Sequence, residues 1–241
     1  MGTKRRLSEK MSPVGRTPPN DQRDASVHPP TLLGSPRTFT DVTPVIPFVL
    51  LEGALSDVES ERLLTHVEAN RLKFVPATVA SSRFETSEPV IDRTHRRAAV
   101  LTDIGDIGAQ LRDAAFSNVP WLCGALGIPA FVPTKAEALI TATGSGDFFR
   151  RHNDCGYPCE TRVLTFVYYF GGDRLKFEGG ELRLYFGPRK NGESRDFVVI
   201  HPRKNRFLVF PSVMDHELRP TQCPSDDVLD RRLTLNGWIH R

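Results

Sequence analysis

The sequence predicts a mainly β fold with supporting helices, an α+β jelly-roll or barrel. From Ala136 onward, short runs rich in β-branched and aromatic residues recur with turn residues between them. Ahead of them lie two stretches whose apolar residues follow helical spacing. Ahead of those, residues 1–37 hold six of the 19 prolines and little that could enter a core, the composition of a disordered tail. The 241 residues fit one large domain plus an appendage. The expected division is a Pro/Ser/basic tail over 1–40 and one domain over 44–241, with helical support in 55–127 and a β core in 130–241.

The elements follow in order. Pro47-Phe48-Val49-Leu50-Leu51 reads as a strand, and Ser56-Asp57 offers an N-cap for a helix to about Arg71. Leu63, Leu64, Val67 and Leu72 supply its apolar face, and His66 is a surface or boundary residue. Residues 74–98 read as irregular strands and a long loop, a candidate rim carrying Arg83, Arg93, Arg96 and Arg97. A second helix is expected over 107–126, broken or bent near Pro120. Strands are then expected over 138–143, 162–170, 181–186, 197–201, 206–210, 216–220 and 232–240. Gly144-Ser145-Gly146, Gly171-Gly172, Gly179-Gly180 and Asn191-Gly192 punctuate them. No internal repeat is evident.

The net charge of +3 is unevenly placed. Residues 1–37 carry seven Lys or Arg against three Asp or Glu, which leaves 25 basic and 26 acidic groups in the remainder. A near-neutral domain lacks the electrostatic footprint of a nucleic-acid binder. There is no apolar run of bilayer length and no apolar stretch after Lys4-Arg5-Arg6, so neither a membrane span nor a secretory signal is expected and the chain reads as cytoplasmic. Four cysteines make no disulfide framework at this length, and free thiols are expected.

The chemistry concentrates in Phe148-Phe149-Arg150-Arg151-His152-Asn153-Asp154. In a strand, His152 and Asp154 project to one face. His216 follows from a later strand. Two histidines and a carboxylate on one face of a metal leave about three positions open, an arrangement suited to non-haem Fe(II) and dioxygen. Downstream, Arg232-Leu233-Thr234-Leu235 alternates and puts Arg232 and Thr234 on a common face, with Arg231 outward. A guanidinium grips a carboxylate bidentately, and a hydroxyl adds a third hydrogen bond. Such a site suits the distal carboxylate of 2-oxoglutarate.

On these residues, positions from about 138 to 240 resemble the Fe(II)- and 2-oxoglutarate-dependent dioxygenase family, in its prolyl-4-hydroxylase-like branch. Six ordered blocks carry the resemblance. They are Gly146-Asp147-Phe148-Phe149 leading into His152-Asn153-Asp154; Arg162 through Tyr169; Gly179-Gly180-Glu181-Leu182; Pro202 through Phe210; His216-Glu217-Leu218; and Arg232-Leu233-Thr234 with Gly237-Trp238. The resemblance implies a double-stranded β-helix (jelly-roll, cupin-like) core, with His152, Asp154 and His216 on iron. It implies Arg232 and Thr234 on the 2-oxoglutarate carboxylate, with Tyr169 in support and Thr165, on the same face, as a further candidate. The cofactors implied are Fe(II), 2-oxoglutarate and O2, with ascorbate as a candidate supporting reductant. The reaction implied is hydroxylation of an unactivated C–H in a peptidyl residue, amino acid or small metabolite, with succinate and CO2 as co-products.

Two departures stand out. Ala142-Thr143 occupies the place of a tyrosine common in relatives, and residues 221–230 lengthen the interval between His216 and Arg232, suggesting a loop at the barrel rim. Retention of Asp154 argues against halogenation. The competing readings are a nucleic-acid oxidative demethylase of the same fold, a non-catalytic cupin-like binding module, and a zinc hydrolase. The first generally needs a second arginine where this chain has Trp238, the second needs no iron ligands, and the third leaves Arg232 unexplained. The expected partner is a peptide or small-molecule substrate, with neither nucleic acid nor membrane involved.

Overall fold

Strand alternation decides the architecture, because each central strand has to bury both of its faces. The computed structural model describes residues 47–79, 89–156, 159–172, 175–190 and 193–241. The tail, Arg83 in the rim loop and the Asn191-Gly192 turn lie outside them. In chain order come β1 (Val49–Glu52), α1 (Asp57–Ala69), β2 (Val75–Pro76), β3 (Arg96–Arg97) and β4 (Ala99–Leu101). Then follow α2 (Gly105–Ser117), α3 (Val119–Leu126), β5 (Lys135–Thr143), β6 (Phe148–His152) and β7 (Arg162–Phe170). The chain continues with β8 (Glu178–Gly179), β9 (Leu182–Lys190), β10 (Glu193–Ile200) and β11 (Arg206–Pro211). It closes with β12 (His216–Leu218), β13 (Thr221–Gln222) and β14 (Arg232–His240).

A seven-stranded sheet runs β1-β11-β7-β14-β5-β4-β2, a five-stranded sheet runs β10-β9-β12-β6-β3, and β8 pairs with β13. On β7, Leu164, Phe166, Tyr168 and Phe170 join one core cluster with Leu63, Val67, Ile107, Leu111 and Leu122 of the helices. Val167 and Tyr169, the alternate residues, join a second cluster with Leu182 and Leu184 of β9. Leu233, Leu235 and Ile239 of β14 likewise belong to the helix-side core. The helices therefore back the large sheet, and its other face is free to carry polar chemistry opposite the small sheet. The expected α+β jelly-roll is the observed fold.

The helix boundaries follow local rules. Ser56 caps α1 with a capping box, its Oγ accepting from Glu59 N–H at 3.3 Å while Glu59 Oε2 accepts from Ser56 N–H at 2.8 Å. The helix stops at Ala69, short of Arg71, and Leu72 falls in the following 3₁₀ turn, 92% exposed rather than on the apolar face. The stretch 107–126 divides into α2 and α3 at Asn118, whose side chain donates to Ala114 O at 2.8 Å. Pro120 sits in the first turn of α3, where its missing N–H costs nothing.

Several strands exceed their sequence signals. β5 begins at Lys135, and β9 and β10 form a long antiparallel pair from Leu182 to Ile200. The 216–220 strand ends at Leu218, and the 221–230 insertion contributes β13 and a 3₁₀ turn, Val228–Asp230. Among the described residues all four cysteines are free, and no helix is long and apolar enough to cross a membrane.

Gly237 marks the tightest helix-side packing on β14. A Cβ there would overlap the Phe166 ring and the Glu137 carbonyl oxygen. Gly237→Ala is expected to cost about 1–3 kcal/mol from overpacking, read as a lower denaturation midpoint at constant m. An unchanged midpoint would contradict this packing.

Candidate active site

Strand pairing assembles the site. β12 lies between β6 and β9, and its register sets His216 opposite both His152 and Leu184. The two imidazole centroids are 4.1 Å apart. Asp154, just past β6, is anchored by its N–H donating to Ser212 O at 2.9 Å. His152 Nε2 lies 3.7 Å from Asp154 Oδ1, and His216 Nε2 lies 3.5 Å from Asp154 Oδ2. One ligand atom from each of the three residues falls within 4.8 Å of the others.

The backbone fixes the tautomers. His152 Nδ1 is 2.7 Å from Arg150 O, and His216 Nδ1 is 3.0 Å from Met214 O. A carbonyl oxygen only accepts, so each Nδ1 carries the proton and each Nε2 keeps its lone pair toward Asp154. Burial, reinforced by His216, holds the His152 pKa well below the usual histidine value. Burial alone would raise the Asp154 pKa. The facing His216 and His152, with Trp238 and Thr165, more than offset it and keep the group a carboxylate. Trp238 Nε1 acts by proximity, since it makes no hydrogen bond of normal geometry.

Thr165 shares the inward face of β7 with Tyr169. Its hydroxyl donates to Asp154 Oδ2 at 2.8 Å and stands 3.0 Å from Ser212 Oγ. With the single Thr165 proton on Asp154, Ser212 donates to Thr165, giving a relay that fixes the carboxylate.

A second polar cluster surrounds Arg232. The residue is only 3% exposed, and Nε donates to Gly180 O at 2.9 Å. Its guanidinium carbon lies 5.1 Å from the centre of the Tyr169 ring, and burial lowers its pKa. A side chain at Gly180, where φ is +68°, would stand 2.6 Å from Arg232 Cδ, so glycine is required there for both backbone and space. Strand register places Thr143 opposite Arg232 and Thr234 opposite Tyr169. Among the described residues the Thr234, Thr143 and Thr221 hydroxyls are buried without a hydrogen-bond partner, the Tyr169 hydroxyl has only the neighbouring Arg232 guanidinium, and Arg232 forms no ion pair. Unsatisfied buried polar groups on this scale call for a ligand.

Both clusters open on one cavity of about 820 Å³, lined by His152, Asp154, His216 and Arg232. Its wall also includes Arg96, whose Nη1 donates to Thr78 O at 3.0 Å. The Arg96 guanidinium lies 4.7 Å above the Phe149 ring, which stacks on His152 at 3.4 Å. Burial lowers the Arg96 pKa to about 10 despite the attraction of Asp154. Elsewhere on the wall Arg162 lies 3.9 Å over the Trp238 ring and donates to Glu137 Oε2 at 3.0 Å. Burial would raise Glu137, but Lys135 and Arg162 bring its pKa down to about 2.

The structure thus brings together His152, Asp154, His216, Arg232, Thr234 and Tyr169. The Ser212 relay and the Thr143 and Thr221 hydroxyls had no signal in the sequence, because each depends on cross-strand register. Trp238 could have been found from the period-two spacing that places it on the Arg232 face.

The donor set fits the group it would hold: two imidazole nitrogens and a carboxylate for a divalent metal, and a buried guanidinium with hydroxyls for a carboxylate. Removing a hydrogen bond behind a metal ligand typically costs about 10–100-fold in affinity. Thr165→Val is therefore expected to weaken Mn(II) binding by that range in calorimetric titration. Unaltered affinity would remove Thr165 from the support of Asp154.

Comparison with known proteins agrees with this geometry. Residues 138–240 match the sequence profile described as the 2OG-Fe(II) oxygenase superfamily. The chain is 29% identical over 197 residues to an uncharacterised PKHD-type hydroxylase of Synechocystis sp., covering 79% of this chain and 62% of that protein's length. A Pseudomonas putida prolyl-4-hydroxylase aligns with a TM-score of 0.60 at 19% identity, over 82% of this chain and 94% of the other. A Trichoplax adhaerens prolyl hydroxylase, solved with a hypoxia inducible factor oxygen degradation domain peptide fragment, aligns at 0.60 and 22% identity, over 81% and 84%. These structures share the fold. Residues 138–240, which carry the His-Asp-His cluster, are thus similar to the 2OG-Fe(II) oxygenase superfamily.

Proposed function

We propose that the protein is a 2-oxoglutarate-dependent hydroxylase acting on a peptidyl residue, an amino acid or a small metabolite. One observation carries this reading: the His152-Asp154-His216 cluster and the buried Arg232, which has no ion pair among the described residues, line the same cavity. A metal site alone leaves Arg232 unexplained, and an anion site alone leaves the convergent imidazoles unexplained.

His152, Asp154 and His216 would hold iron, and Arg232 with Thr234 and Tyr169 would bind the distal carboxylate of 2-oxoglutarate. When bound, this group supplies oxidation of an unactivated C–H, with succinate and CO2 as co-products and ascorbate as a supporting reductant. The chain's own contribution is positional. The Nδ1 bonds aim both imidazoles, the Ser212–Thr165 relay orients Asp154, and Gly180 leaves room for the Arg232 side chain while its carbonyl accepts from Nε. The peptide fragment bound by the Trichoplax relative favours a peptidyl residue among the substrate classes.

With Fe(II), 2-oxoglutarate and ascorbate, the protein is expected to release succinate in the absence of a prime substrate, and the His152→Ala, Asp154→Ala double variant to release none. Full activity in that variant would sink the metal assignment. Arg232→Ala should raise the 2-oxoglutarate KM at least about tenfold, the scale of a charge-assisted hydrogen bond. Substrate class is read by mass spectrometry of peptide and small-molecule pools, seeking an added oxygen.

A further inference from the structure

A second pocket, of about 280 Å³, lies between β2, β3 and the loop around Asp147. Among the described residues four arginines line it, Arg93, Arg96, Arg97 and Arg231, against one carboxylate, Asp147. This concentration is not inherited from composition, because the domain is close to neutral. Among the described residues none of the four arginines forms an ion pair.

The partners they do have are weak neutralisers. Arg97 Nη2 donates to Gly146 O, and Arg231 Nη2 donates to Asp226 O at 2.9 Å. Arg97 and Arg231 each retain a buried Nε with no hydrogen-bond partner. Asp147 is itself engaged, its Oδ2 accepting from Gly144 N–H at 2.9 Å. Four arginines around so small a volume concentrate positive charge, and partial burial strengthens their mutual repulsion. An anion would relieve the repulsion and satisfy the two Nε donors together, since guanidinium forks match carboxylate and phosphate oxygens.

We propose that this pocket is an anion-binding site, separate from the Arg232 cluster, that takes a phosphate or carboxylate group of a small ligand. Its apolar wall includes Val75 and Ile91, 53% and 55% exposed, which suits a ligand with an apolar portion beside its charge. Arg96 lines both this pocket and the large cavity, so an anion held here would act on a guanidinium that also faces the metal cluster. The site therefore has a direct route to influence the reaction.

The test titrates the full chain, loaded with Mn(II), with inorganic phosphate and in a parallel arm with tricarballylate. Saturable binding of one ligand per chain is expected, with a rise in melting midpoint, and the tighter ligand identifies the source of the anion. The Arg93→Gln, Arg231→Gln double variant should bind at least about tenfold more weakly, while Arg232→Gln should bind as the parent does. Asp147→Asn, which removes an opposing charge, should bind more tightly and guards against loss of binding through misfolding. Binding lost in Arg232→Gln but kept in the double variant would assign the anion to the co-substrate cluster and overturn the proposal. Absence of saturable binding in both arms would overturn it as well.

Discussion

Everything at the site depends on the pairing of β6 with β12 that sets His152 opposite His216. That register brings together two residues distant in sequence, and the two Nδ1–H bonds to carbonyls at the i−2 position turn both Nε2 atoms toward Asp154. A slip of one residue in either strand would move an imidazole to the opposite face of the sheet. The register is held on the other side by β9, where Leu184 opposite His216 is fully buried. On the outer side, Arg151 pairs with Asp215 at 2.8 Å and stacks 3.9 Å over Tyr185, fixing the same strands from solvent.

The large sheet contributes the complementary half through division of its faces. Phe166, Tyr168 and Phe170 bury β7 against the helices, which frees Thr165 for the cavity and Tyr169 for its contact with Arg232. β14 repeats the scheme, with Leu233 and Leu235 outward and Arg232 and Thr234 inward. Burying Arg232 carries a desolvation penalty that the Gly180 carbonyl and the Tyr169 ring offset only in part. The site is thus preorganised at some cost to the stability of the ligand-free protein.

Much of this was legible in the sequence because period-two alternation converts spacing into facing. His152 with Asp154, and Arg232 with Thr234, needed only that rule. The Ser56 cap and the break near Pro120 were legible because capping and proline act locally. Leu72 misled because helical spacing continues past Asn70 although the helix does not. Thr165 was legible as an inward residue, but its bond to Asp154 depends on where β11 delivers Ser212. The hydroxyls of Thr143 and Thr221, and the meeting of Arg231 with Arg93, Arg96 and Arg97 of the expected rim, depend on strand register, which leaves no local pattern.

The most direct test of the central constraint is ¹⁵N NMR of the histidine rings in metal-free protein at mildly alkaline pH. The account requires the proton on Nδ1 in both His152 and His216 before any metal binds, with Nε2 unprotonated. A proton on Nε2 of either ring would show that the backbone carbonyls do not set the tautomer, and would contradict a site preorganised for a metal.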